Sequence, residues 1–124
     1  MRTNSDLTAS DILGGAGLTA TASSNDLANP YGKGVKVVFD VTAGTSLSLV
    51  LTIEGKDPAS GKYYTILTGA SVTGAATNVY TVYPGVTTAS NVAVSNVIPR
   101  TWRVTVTASN TNAGAYTVGA SVIV

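Results

Sequence analysis

At 124 residues the chain is long enough for one domain with a single core and leaves little for a second. Only 10% of residues are charged and the net charge is +1, so neither nucleic acid nor membrane is an expected partner. Cysteine and histidine are both absent, which removes disulfides, thiol nucleophiles, most zinc and haem ligation and the commonest neutral-pH general base. The expectation is therefore a protein that is not an enzyme and uses no cofactor.

The chain opens "MRTNSDLTASDIL", with a charge near its start but no continuous apolar run, and no stretch approaches the ~20 apolar residues of a membrane span. Synthesis in a cytoplasm is expected. Residues 1–33 mix small polar residues with a sparse apolar set, Leu7, Ile12, Leu13 and Leu18, and with the flexible "GGAG" at Gly14 to Gly17. This set is too small to form a core, so the segment reads as an N-terminal arm ahead of a domain at 34–124. Such an arm either docks on a partner through Leu7, Ile12 and Leu13, which is the expectation here, or packs along its own domain and shields an open strand. "GLTATAS" near Leu18 is a candidate for one short strand.

Strands follow almost without break. "GVKVVFDVTAG" sets Val35, Val37, Phe39 and Val41 on one face and Lys36, Asp40 and Thr42 on the other. "SLSLVLTIEG" continues the period of two with Leu47, Leu49, Leu51 and Ile53, so the two runs are expected to pair as the core hairpin about Gly44 and Thr45. "KYYTILTG" and "NVYTVYPG" read as further strands, and a polar connector from Pro84 to Asn96 leads to "VIPRTWRVTVTAS". There Trp102, Val104, Val106 and Ala108 share a face. The turn "NTNAG" precedes "AYTVGASVIV", which aligns Tyr116, Val118, Ala120, Val122 and Val124. No segment carries an apolar 3.6 period, while Gly, Pro and Asn punctuate the chain throughout. The predicted architecture is all-β, an antiparallel sandwich of about seven strands.

The charged hairpin "IEGKDPASGKYYTIL" is the segment that most invites a chemical reading. Asp57, Pro58 and Gly61 are turn chemistry: Asp accepts nearby amides, Pro presets φ, and Gly supplies a left-handed residue. Catalysis would need Glu54 and Asp57 as an acid and base pair, and a calcium site would need further acids. The others are scattered at Asp6, Asp11, Asp26 and Asp40. No catalytic, cofactor-binding or metal-binding residue is assigned. Tyr63 and Tyr64 point to opposite faces, so at least one is available to a protein partner or to a sugar, and Tyr64 is taken as that residue. A carbohydrate platform built with Tyr80, Tyr83 and Trp102 is the lesser alternative, because Tyr and Trp inside strands are more often packing residues. Trp102 itself reads as a core residue with Arg100 as a lid and Arg103 facing solvent, and Arg100 is placed to pair with a neighbour's carboxylate. Pro99 has no amide hydrogen and should mark the start or a bulge of its strand.

"EGKDPASGKYYTIL", "VYPG" and "IPRTWRVTV", in this order, resemble phrases in small β-rich structural proteins encoded in tailed-bacteriophage morphogenesis regions. The resemblance covers Gly34 to the C-terminus and brings no residue-level functional motif. It implies an immunoglobulin-like sandwich of the capsid decoration or cement type, located on the virion surface, with the major capsid protein and further copies of the same chain as partners. A tail or baseplate module and a carbohydrate-binding adhesin module are the alternatives. The composition agrees with a virion protein, being rich in Thr, Ser, Val, Ala and Gly and poor in Lys and Glu, as surface β-proteins are, while the opening residues carry no expectation of export.

Overall fold

A computed structural model describes residues 8–29 and 32–123, with side chains from Leu13 onward. Leu7 lies outside the described residues, as does the side chain of Ile12.

The strands with the clearest alternation make the core. β4 (Gly34–Ala43) buries Val35, Val37, Phe39 and Val41, and β5 (Leu49–Lys56) buries Leu49, Leu51 and Ile53. β9 (Thr101–Ala108) contributes Trp102, Val104 and Val106, and β10 (Gly114–Ile123) contributes Tyr116, Val118 and Ala120. β7 (Ala76–Val82) adds Tyr80 and Val82, and β6 (Tyr63–Thr68) adds Ile66 and Leu67. The Phe39 and Tyr116 rings meet edge to face at 5.2 Å. Each fully buried aliphatic or aromatic side chain contributes about 1.5–3 kcal/mol, so this shared interior is what holds the layers together.

The described residues hold ten strands rather than the seven expected. Besides the six long strands above, they are β1 (Thr8–Leu18) and three two-residue strands, β2 (Ala22–Ser23), which falls within the candidate "GLTATAS", β3 (Leu27–Ala28) and β8 (Ala93–Val94). Two residues are too few to show a period, and the glycines and polar residues of β1 hide its alternation. One sheet runs β1-β10-β4-β7-β8, antiparallel except for the parallel β7–β8 pair. The other runs β2-β9-β5-β6, with β3 also on β9. The two pack face to face as a sandwich.

β4 and β5 do not form the expected hairpin. They lie in different sheets, β4 between β10 and β7, and β5 between β9 and β6. An alternating apolar run is equally satisfied by a hairpin, where both inner faces line one sheet, and by an arch, where they face each other across the core. The connector favours the arch. Ser46 sits at φ 53°, an uncommon conformation for a non-glycine residue, and the side-chain amides of Asn110 and Asn112 donate to its carbonyl at 3.1 and 2.7 Å. Those asparagines belong to the parallel crossing from β9 to β10, so the two arches brace each other.

The N-terminal segment is part of the sandwich from Thr8 on. β1 pairs antiparallel with β10, Leu13 opposite Val118 and Gly14 opposite Thr117, and both Leu13 and Leu18 pack against the core. This is the edge-shielding arrangement. The next residues cross to the other sheet, where the Ser24 amide donates to the Val104 carbonyl at 2.8 Å and the Ser24 hydroxyl accepts the Val104 amide at 3.0 Å. Buried Asn29 donates to the Ile98 and Gly32 carbonyls, both at 2.9 Å, and so ties this segment to the approach to β9. Among the described residues, β5 and β6 are the only consecutive strands that pair antiparallel. Their turn is therefore the one hairpin tip between the described strands, and it lies at the end of the sheet where β9 begins.

Candidate functional site

The hairpin tip is held by its own sequence. The Asp57 amide donates to the Lys62 carbonyl at 2.8 Å, and the Gly61 amide to the Asp57 carbonyl at 2.9 Å. The Asp57 carboxylate accepts the Ser60 hydroxyl at 2.7 Å and the Ala59 amide at 3.0 Å. Gly61 takes φ 75°, the left-handed conformation that closes the turn. The Ser60 hydroxyl first, and then the Ala59 amide, hold the Asp57 carboxyl below its ordinary range.

The outer face of the hairpin carries a linked polar ladder across the sheet. Arg103 Nε lies 3.0 Å from Glu54 Oε1, which also accepts the Thr105 hydroxyl at 2.6 Å. With its hydrogen given to Glu54, Thr105 accepts in turn from Ser23 at 2.9 Å. Lys56 Nζ sits 2.7 Å from Asp26 Oδ2, and the Tyr63 hydroxyl donates to Asp26 Oδ1 at 2.6 Å. The Arg103 guanidinium stacks 3.5 Å from the Tyr63 ring centre, joining the two halves. The hydrogen bond from Lys56, then that from Tyr63, lowers the Asp26 pKa, and Asp26 in turn raises that of Lys56. Glu54 and Asp57 thus belong to separate structural networks and share no proton. Among the described residues no group of three or more acids stands close enough to hold a metal ion.

The inner side of the same end is different in character. Gly55 pairs with Tyr64 on one side and Trp102 on the other, so the three form a row on the core-facing side. Without a side chain at 55, the Tyr64 ring and Pro99 close over the backbone. A Cβ there would lie 2.5 Å from Tyr64 Cζ and 2.8 Å from Pro99 Cγ. Beyond them opens a furrow of about 710 Å³ lined by Lys56, Asp57, Pro58, Tyr64, Pro99, Arg100 and Thr101. Tyr64 remains 48% exposed although it lies in the row with Gly55 and Trp102 on the core-facing side.

Tyr64 and Arg100, singled out in the sequence on unrelated grounds, are thus brought into one furrow. Leu13 is not among them: it packs on the core beside β10, in the opposite sheet. Tyr80 and Trp102 are buried in the core, as expected of aromatic residues inside strands, and so form no carbohydrate platform with Tyr64. Arg100 lines the furrow and Trp102 is buried in the core, while Arg103 is on the outer face but paired with Glu54. Pro58 and Pro99 complete the furrow and were legible only as turn and strand-start residues. Asp26 is a partner of the hairpin from 30 residues upstream, and no local signal links the two. No protein-family model, no curated protein and no solved structure matches the chain.

Proposed function

We propose that the chain is a non-enzymatic virion structural protein of a tailed phage, an immunoglobulin-like sandwich that binds the outer capsid surface and strengthens it by bridging subunits. The observation that carries this reading is the meeting of exposed Tyr64 with Arg100 in one furrow, an aromatic anchor beside a planar cation, two of the three residue types most often dominant in protein interfaces. The titratable groups that catalysis would need are engaged in turn and ladder bonds. The resemblance of Gly34 to the C-terminus to phage structural proteins supplies the setting. Attachment by several weak contacts on a lattice keeps the molecule in place, because each bound contact raises the effective concentration of the next.

Cryo-electron density of purified particles tests it. Density for the sandwich on the outer capsid, and capsids that rupture at lower temperature without the chain, are expected. Density confined to tail or baseplate would replace the capsid position with the tail reading, and absence from particles would end both.

A further inference from the structure

The furrow continues past the hairpin base. It shares Lys56, Asp57, Pro58 and Thr101 with a polar depression of about 520 Å³ that reaches Asp26 and Gly61, so the two lie side by side along one track at the hairpin base. A compact ligand would need only one half. The walls of the first half are Tyr64, Pro58 and Pro99, rings that lose little conformational freedom on contact. Tyr64 stands on β6, the last strand of its sheet, and is exposed.

The polar groups around the track differ sharply in what they have left to give. Asp57 is engaged by Ser60 and Ala59, Asp26 by Lys56 and Tyr63, and Lys56 by Asp26. Arg100 is exposed and makes no side-chain hydrogen bond or ion pair among the described residues. A sugar stacked on Tyr64 would look for carboxylate acceptors to read its hydroxyls, and those nearby are already in use. A carboxylate beside an apolar side chain meets what is free: one planar cation and one ring-lined wall.

We propose that this track binds an extended segment of a partner protein in which an Asp or Glu stands beside a proline, aliphatic or aromatic residue, the acid on Arg100 and the apolar residue on Tyr64 and Pro99. The inference rests on the attachment reading above and names what is gripped.

Selection of short random peptides on the full-length chain, followed by titration of the synthetic winners, tests it. The winners are expected to pair an acid with an apolar neighbour. Exchanging that acid for its amide should weaken binding about ten-fold, as the loss of a charge-assisted contact does. Arg100→Gln should weaken the acidic peptide equally and the amide peptide hardly at all, because both changes remove the same contact. Tyr64→Ala should weaken both peptides, with unchanged melting of the variants as the control on folding. Failure to enrich any peptide, winners without an acid, affinity indifferent to Arg100→Gln, or displacement of the peptides by a neutral oligosaccharide at lower concentration would each overturn the proposal. The virion reading is scored separately: particles decorated as well by Arg100→Gln and Tyr64→Ala chains would sink the track and leave the attachment, whereas peptide binding by a chain missing from particles would keep the track and remove its setting.

Discussion

At the residue scale, Gly55 and Glu54 are neighbours with opposite reasons for being what they are. Gly55 must lack a side chain because Tyr64 and Pro99 close over it. Gly55→Ala is expected to cost about 1–3 kcal/mol through overpacking and to displace the Tyr64 ring, read by urea unfolding and by the ring's NMR signals. Glu54 instead needs its acceptors. Glu54→Gln keeps the shape but weakens the bonds from Arg103 and Thr105, with an expected loss of about 1 kcal/mol and no change in capsid or peptide binding. A complete functional loss in a normally folded Glu54→Gln chain would restore the catalytic reading. The signal for Asp57, Pro58 and Gly61 was local, so their roles were readable from the sequence; the partners of Glu54 were not, because Arg103 and Thr105 arrive from about fifty residues away.

At the element scale, the inward faces of β4, β5, β9 and β10 followed from alternation, since burial selects every second residue whichever strand lies alongside. Leu51→Ala is expected to cost about 2–5 kcal/mol from the cavity it leaves, while Ser48→Ala, on the arch, should cost under about 0.5 kcal/mol. Comparable losses would mean that the faces are reversed. Pairing was not written in that pattern, and so β4 and β5 form an arch instead of a hairpin. β1 is a similar case: Gly14, Gly15 and Gly17 read as a flexible link, yet the segment lies along β10 and covers its edge. Deleting residues 1–18 should therefore lower the thermal midpoint by on the order of 5–10 °C and promote aggregation through the bared β10 edge. A midpoint unchanged within about 2 °C would instead favour the free, docking arm.

At the scale of the whole molecule, stability should depend on pH through exposed but well-bonded carboxylates. Asp26 and Asp57 have folded pKa values below the unfolded value of 3.8, so the stability they add is present above that value and is lost as pH falls through the folded ones. Burial raises the phenols of Tyr80 and Tyr116, whose contribution is present below their ordinary value of 10.0 and lost as pH rises past it. Urea midpoints should form a plateau between these limits, and the pair Asp26→Asn with Asp57→Asn should flatten the acid limb alone. An acid limb unchanged in the double variant would show that other carboxylates set it. The sequence by itself determined the all-β class, the core-facing residues and the hairpin turn, because each depends on periods of two or on neighbours within a few positions. Only the tertiary structure decided which strands pair, where the N-terminal segment lies, and that Tyr64, Pro99 and Arg100 share a furrow, because those outcomes depend on which distant segments satisfy one another's backbone hydrogen bonds and buried faces, and no local pattern records that choice.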